Sequence, residues 1–210
     1  MTKITGAIQQ CAVVILAAGS STRLGRSKQL LPYKDKTFLK HAAVEALEAV
    51  MKPVIVIIRS NSDDIKKEIE EIEVEVAENH EWHEGIASSL RCGVKQVQNN
   101  YSDVDGIIFM VCDQPYVTGI LLNSLLKKQH ETGLPIVASR YQNKSGTPAL
   151  FHKSLFTELM KLRGDTGAGN LIRIYNDMVA TVAFPKGDID IDTTEDYEAL
   201  LHTKRMKNDH

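Results

Sequence analysis

The stretch VVILAAGSSTRLGRSK, from Val13 to Lys28, runs an apolar segment directly into small and hydroxylated residues and then into three cations, Arg23, Arg26 and Lys28. Glycine and small side chains let a backbone come close to a ligand, so the amides of Ala18, Gly19, Ser20 and Ser21 could converge on phosphate oxygens. Arg23 and Lys28 would then supply the charge. Two widespread phosphate loops do not fit. A P-loop needs four residues between its glycines and then Lys and Ser or Thr, whereas Gly19 and Gly25 are separated by five and followed by Arg26. The dinucleotide fingerprint G-x-G-x-x-G fails at Ser21 and Leu24. An ordinary strand-to-helix turn has the same chemistry, and spacing alone does not separate the two readings. A second candidate is FMVCDQPYV, Phe109 to Val117, an apolar run that ends abruptly in Asp113. A carboxylate there could hold a hard cation such as Mg2+ through oxygen, or it could cap the turn that follows. His41, His80, His83 and His152 lack transition-metal spacing and read as ordinary surface or core histidines.

The elements that would position these groups follow from periodicity. Short apolar, β-branched runs predict strands at Cys11–Ala17, Val54–Ile58, Val74–Ala77, Gly106–Cys112, Pro135–Ser139 and Val179–Phe184. Between them, amphipathic segments predict helices at Thr37–Val50, Asp63–Glu71, Gly85–Asn99, Thr118–Glu131, Lys153–Leu162 and Thr194–Lys204. Strands apolar on both faces, alternating with helices, imply an α/β three-layer sandwich around a mostly parallel central sheet. Tyr141–Phe151 breaks the rhythm and suggests a hairpin or antiparallel excursion. Ligands of such a sheet bind beyond the carboxyl ends of the strands, where strand order reverses, and the Ala17–Lys28 loop follows such an end.

Composition narrows the partners. The 210 residues, 43% hydrophobic and 25% charged, can bury the core of a single domain over residues 1–210, with about 203–210 as a frayed tail. A net charge of −2 gives no global attraction to nucleic acid or to an acidic membrane, so any anion must be captured locally. Cys11, Cys92 and Cys112 are an odd count in or near apolar stretches, which suits free thiols in a reducing cytoplasm. The apolar run after Lys3 imitates a signal peptide, but it is short and interrupted by Gln9 and Gln10; the expectation is an unprocessed, cytoplasmic protein without a membrane span.

LAAGSSTRLGRSKQLLP resembles the signature L-A-A-G-x-S-x-R-[ML]-G, with its downstream Lys, of nucleotidyltransferases with the GT-A-like, nucleotide-diphospho-sugar transferase fold. Together with NHEWHEGIASSLRCGV, CDQPYV, SGTPALF, LRGDTGAGNLI and DIDTTEDYEAL, in that order, it is similar to the molybdenum cofactor cytidylyltransferases. These belong to the molybdopterin-guanine-dinucleotide-synthase-like superfamily.

The resemblance implies Mg2+-dependent transfer of CMP from CTP to the terminal phosphate of a molybdopterin-type cofactor, with release of pyrophosphate. It places the triphosphate on Leu16 to Thr22, that is Leu16, Ala17, Ala18, Gly19, Ser20, Ser21 and Thr22, with Arg23 at the β and γ phosphates and Lys28 nearer the α-phosphate. Asp113 matches the metal-binding aspartate, and Asp192 a second metal ligand, although Asp192 could equally be the N-cap of the helix that follows. Gly85, Ser88 and Ser89 match the segment facing the nucleobase, where buried polar groups reject a base they cannot pair. The alternative is that the two serines cap a helix. Gly146, Thr147 and Asp165 would border the acceptor. Relatives often carry Ala-Arg where this chain has Ala168-Gly169, a departure that removes a possible anion contact.

Three other functions remain in view: a molybdenum cofactor guanylyltransferase, a cytidylyltransferase for a sugar or polyol phosphate, and a cofactor carrier or insertion chaperone without turnover. LAAG in place of LAGG favours cytidine. A molybdenum hydroxylase apoenzyme is a conceivable downstream partner.

Overall fold

The computed structural model describes residues 6–19, 27–191 and 193–208, the side chains of 203–208 excepted. Its centre is a sheet of seven strands: β1 (Cys11–Ala17), β4 (Val54–Arg59), β5 (Glu75–Asn79), β6 (Gly106–Val111), β7 (Ile136–Tyr141), β8 (Lys144–His152) and β9 (Val179–Ala183). Two short strands, β2 (Pro32–Tyr33) and β3 (Lys36–Thr37), form a separate hairpin. The sheet order is β5-β4-β1-β6-β8-β7-β9, and only β8 runs against the others. Strand order therefore reverses between β1 and β6: one chain direction builds outward through β4 and β5, the other through β6.

β1 is buried along its whole length because each face meets a helical layer. Val13, Ile15 and Ala17 face a core shared with α1 (Phe38–Leu47), α2 (Asp63–Glu68) and α4 (Gly119–Thr132). Ala12, Val14 and Leu16 face the opposite core with α3 (Ile86–Asn100), α5 (Phe156–Lys161) and α6 (Ala168–Ile174). This alternation is the period-2 pleat read out in burial. A third cluster, Leu31, Tyr33, Phe38, Ile191, Tyr197 and Leu200, fastens α7 (Thr194–Asn208) over the β2–β3 hairpin, and the Tyr197 hydroxyl donates to the Pro32 carbonyl at 2.7 Å.

The expected strands and helices are present with their ends moved by a few residues. The Tyr141–Phe151 segment is the predicted hairpin, β7–β8. Its register shifts at Ala138/Ser139, so that Ser139 pairs with Gly146 while Ala138 pairs with Ala149, and Thr147 and Pro148 bulge out. The expected helix over 153–162 is split, with a 3-10 turn at Lys153–Leu155 ahead of α5. Helical backbone continues to Asn208, where a frayed tail was expected from about residue 203. All three cysteines are free thiols, and burial pushes Cys11 and Cys112 up to about 12. No helix among the described residues is long and apolar enough to cross a membrane.

Candidate active site at the switch point of the sheet

The carboxyl edge of the sheet gathers the ends of β5, β4, β1, β6 and β7, together with the start of the antiparallel β8. Ala18 and Gly19 leave β1 there, and Asp113 follows β6. Gln29, buried at the end of β1, donates its amide to the carbonyls of Ala17 at 2.7 Å and Gly19 at 2.9 Å, which fixes the direction in which the chain departs. On the far side Arg59, the last residue of β4, donates to the Ser27 hydroxyl at 3.2 Å. Neither Gln29 nor Arg59 stands out in the sequence, since each acts through residues that only the folded chain brings to it. Ser20, Ser21, Thr22 and Arg23, expected at the phosphates, lie outside the described residues.

Across the β1/β6 crevice, the Lys28 ammonium donates to Asp113 Oδ2 at 2.7 Å, with 13% and 21% of the two side chains exposed. The two residues are 85 positions apart, and the strand-order reversal brings them together. Asp113 Oδ1 is buried and meets no hydrogen-bond partner among the described residues. The turn-cap reading of Asp113 is not met: Oδ2 accepts from an ammonium, and Oδ1 accepts from no backbone N–H among the described residues. A buried carboxylate oxygen without a donor is costly unless a cation or a water is supplied. The donor fits a hard, oxygen-seeking divalent ion.

Around this pair the backbone is closely tied. The Gln114 amide donates to Gly187 at 2.9 Å, and the Ile191 N–H donates to the Asp113 carbonyl at 3.3 Å. His41 Nε2 lies 3.0 Å from the Pro115 carbonyl, which can only accept, so that nitrogen carries the proton; burial lowers the affinity of the ring for a second one. Asp192 is outside the described residues, but its alternative role is taken. Thr193 accepts at its hydroxyl from the Asp196 N–H at 3.1 Å, and Asp196 accepts from the Thr193 N–H at 2.8 Å. That reciprocal pair is a capping box, and the Thr193 carbonyl accepts from Tyr197 N–H as the first turn of α7 begins. The cap falls one residue later than the sequence reading allowed.

Gly85, Ser88 and Ser89 lie where β5 feeds α3. Gly85 is the N-cap, at φ 116°, so the expectation that the serines cap the helix is not met; both are inside its first turn. Ser88 donates to the Gly85 carbonyl at 2.8 Å, and Asn79, at the end of β5, donates to the hydroxyls of Ser88 at 2.8 Å and Ser89 at 3.1 Å. A Cβ at Gly85 would come within 2.4 Å of Asp165 Oδ1, so glycine is required here by space as well as by φ. Asp165, expected at the acceptor, thus abuts the residue expected at the nucleobase. Gly146 and Thr147 sit at the bulge in β8 on the same edge, and the Tyr141 hydroxyl occupies the space a Gly146 side chain would need, 2.2 Å from its Cβ position.

With this geometry in view, the comparisons with known proteins are specific. A family model described as MobA-like NTP transferase domain matches residues 13–181. A probable molybdenum cofactor guanylyltransferase of Bacillus mycoides (strain KBAB4) is 30% identical over 141 residues, an alignment covering 64% of this chain and 66% of that protein. The purine catabolism protein PucB of Bacillus subtilis (strain 168) is 26% identical over 199 residues, covering 89% and 94%. Among solved structures, Rv0371c from Mycobacterium tuberculosis H37Rv superposes with a TM-score of 0.78 at 31% identity, covering 94% of this chain and 99% of that one. A complex of the same protein with manganese gives 0.74 at 29% identity, covering 92% and 99%. The fold is of the GT-A-like class. A match spanning both halves of the sheet, with the ion pair at its switch point, settles the assignment: the chain belongs to the MobA-like NTP transferase family.

Proposed function

We propose that this protein transfers CMP from CTP to the terminal phosphate of a molybdopterin-type cofactor, releasing pyrophosphate. The observation that carries this reading is the Lys28–Asp113 pair with its orphaned carboxylate oxygen at the β1/β6 crevice. Such a site offers one cation for phosphate and one carboxylate for a metal, which a reaction of this type requires. In the reaction an oxygen of the acceptor phosphate forms a bond to the α-phosphorus, and the bond from that phosphorus to the β-phosphate oxygen breaks. The leaving pyrophosphate takes the electron pair, and no covalent intermediate with the protein is needed.

The work of the chain is positioning and charge. The amides from Ala17 onward are presented at the end of a fully buried strand, where Gln29 holds their carbonyls away from the anion. Lys28 carries its charge toward the α-phosphate, and Arg23 toward the β and γ phosphates. Asp113, with Asp192, would hold Mg2+, which when bound neutralises charge on the phosphates. Gly85, Ser88 and Ser89 face the base, and Gly146, Thr147 and Asp165 border the acceptor. A molybdenum hydroxylase apoenzyme would receive the product.

Transfer of GMP is the second reading, favoured by the relative that is a probable molybdenum cofactor guanylyltransferase. Against it stands Ala18, buried where guanine-using relatives typically carry glycine. Pyrophosphate release measured with isolated molybdopterin cofactor, a divalent cation and each of the four NTPs decides: CTP is expected to exceed the other three. A larger rate with GTP overturns the cytidine reading, and release with none of them leaves the carrier.

A further inference from the structure

Arg91 lies on the third turn-face position after Ser88 of α3, so the two share a side of the helix. The residue is 6% exposed, and both terminal nitrogens of its guanidinium are engaged. Nη1 donates to Glu84 Oε1 at 2.8 Å and to the Leu162 carbonyl at 2.9 Å, while Nη2 donates to Glu81 Oε2 at 2.8 Å and to Glu84 Oε2. Glu84 Oε1 also accepts from the Gly164 N–H at 3.0 Å, and the Gly164 carbonyl accepts from the Ala87 N–H at 3.1 Å. The bonds close a circuit from α3 through the turn before it, into the 162–165 loop, and back to α3. Gly85 and Asp165 are pressed together inside that circuit.

A buried ion cluster is weak evidence for stability, because desolvation offsets much of the attraction and apolar packing could join the same two elements. A planar fork with fixed donor directions does something apolar packing does not: it sets orientation. We propose that Arg91 is a positioning residue for nucleobase choice, locking the Gly85–Ser89 segment to the Asp165 loop so that the base and acceptor edges hold one relative geometry. This inference rests on the transferase reading in taking Gly85–Ser89 as the base-facing segment.

Equilibrium dialysis of CTP and GTP, which needs no turnover, measures the affinity ratio of the preferred to the disfavoured base. In Arg91→Lys, which keeps the charge but loses the fork, that ratio falls about tenfold, as expected when a polar recognition edge loses its alignment. Hydrogen exchange at the Ala87 and Gly164 amides quickens in the same variant. Glu84→Gln, which weakens the same circuit from the other side, shows the same two changes and serves if the lysine variant does not fold. An unchanged ratio in either folded variant overturns the proposal, as does a wild type that binds both bases equally. Absence of pyrophosphate release by the wild type with all four NTPs instead sinks the transferase reading, and the dialysis ratios still decide on Arg91.

Discussion

Two charged clusters stand at the carboxyl edge of the sheet and are built on opposite rules. Around Arg91 two carboxylates, a carbonyl and a backbone amide saturate one another, and Glu84 is held down to about 2, chiefly by its bonds from Arg91 and then by the Gly164 N–H. At Asp113 one oxygen is paired with Lys28 and the other, though buried, has no partner among the described residues. Beside the carboxylate satisfied so fully at Glu84, the unpartnered Asp113 oxygen, next to that of Gln114, is the contrast on which the proposed site rests. The contrast separates a scaffold from a site: saturation fixes geometry, and an unmet buried group marks where a ligand's charge is expected.

The strongest way to break the contrast is at Asp113. Asp113→Ala should lower the rate of pyrophosphate release by about 10³-fold or more if, as proposed, its carboxylate holds the metal, while thermal unfolding shifts little. A variant with near wild-type rate, measured across a divalent-cation titration, would return Asp113 to the role of an ordinary turn residue. Lys28→Met follows, with kcat down about 10²-fold and KM for the nucleotide moving less than about threefold, the pattern of a charge used in the transition state. A rise in KM with kcat preserved would instead make Lys28 a ground-state binder.

How much of this was legible varies with the range of the interactions. β1, β4 and β6 announce themselves because strands covered on both faces are continuously apolar, and the reversal between β1 and β6 is what makes Lys28 and Asp113 neighbours. α6 is not legible because Gly164, Gly167 and Gly169 make its approach read as loop; Leu171 and Ile172, buried in the core that α6 shares with α3 and α5, hold it as a helix. Asp192 reads equally as a metal ligand or as the cap of α7, and only the reciprocal bonds between Thr193 and Asp196, which the sequence does not display, put the cap at Thr193. Arg91 was visible only as a letter within SSLRCGV. Its function depends on Leu162, 71 residues away, and no local pattern carries that information.

The saturated cluster is tested next. Arg91→Met leaves Glu84 and Glu81 without their shared cation, yet both carboxylates retain solvent access, at 32% and 63% exposure. The loss should therefore fall below that of a fully buried pair, about 2 kcal/mol in urea unfolding. A change under about 0.5 kcal/mol, the scale of an exposed pair, would show that the cluster is not a scaffold.

The smallest effect is confined to acid. Glu84 sits at about 2 in the folded chain against an ordinary 4.5, so folding favours its ionised form. Its stabilisation is complete above about pH 4.5 and is lost as pH falls through about 2, below which folded and unfolded chains bind the proton alike. Glu84→Gln carries no such proton, so the stability gap between wild type and variant should be constant from pH 7 down to about 5 and should close as pH falls from there through about 2. Urea midpoints taken at half-unit steps measure it. A gap that persists unchanged to pH 2 would mean that hydrogen-bond geometry, and not charge, is what Arg91 draws from Glu84, and the saturated cluster would then owe its rigidity to the fork alone.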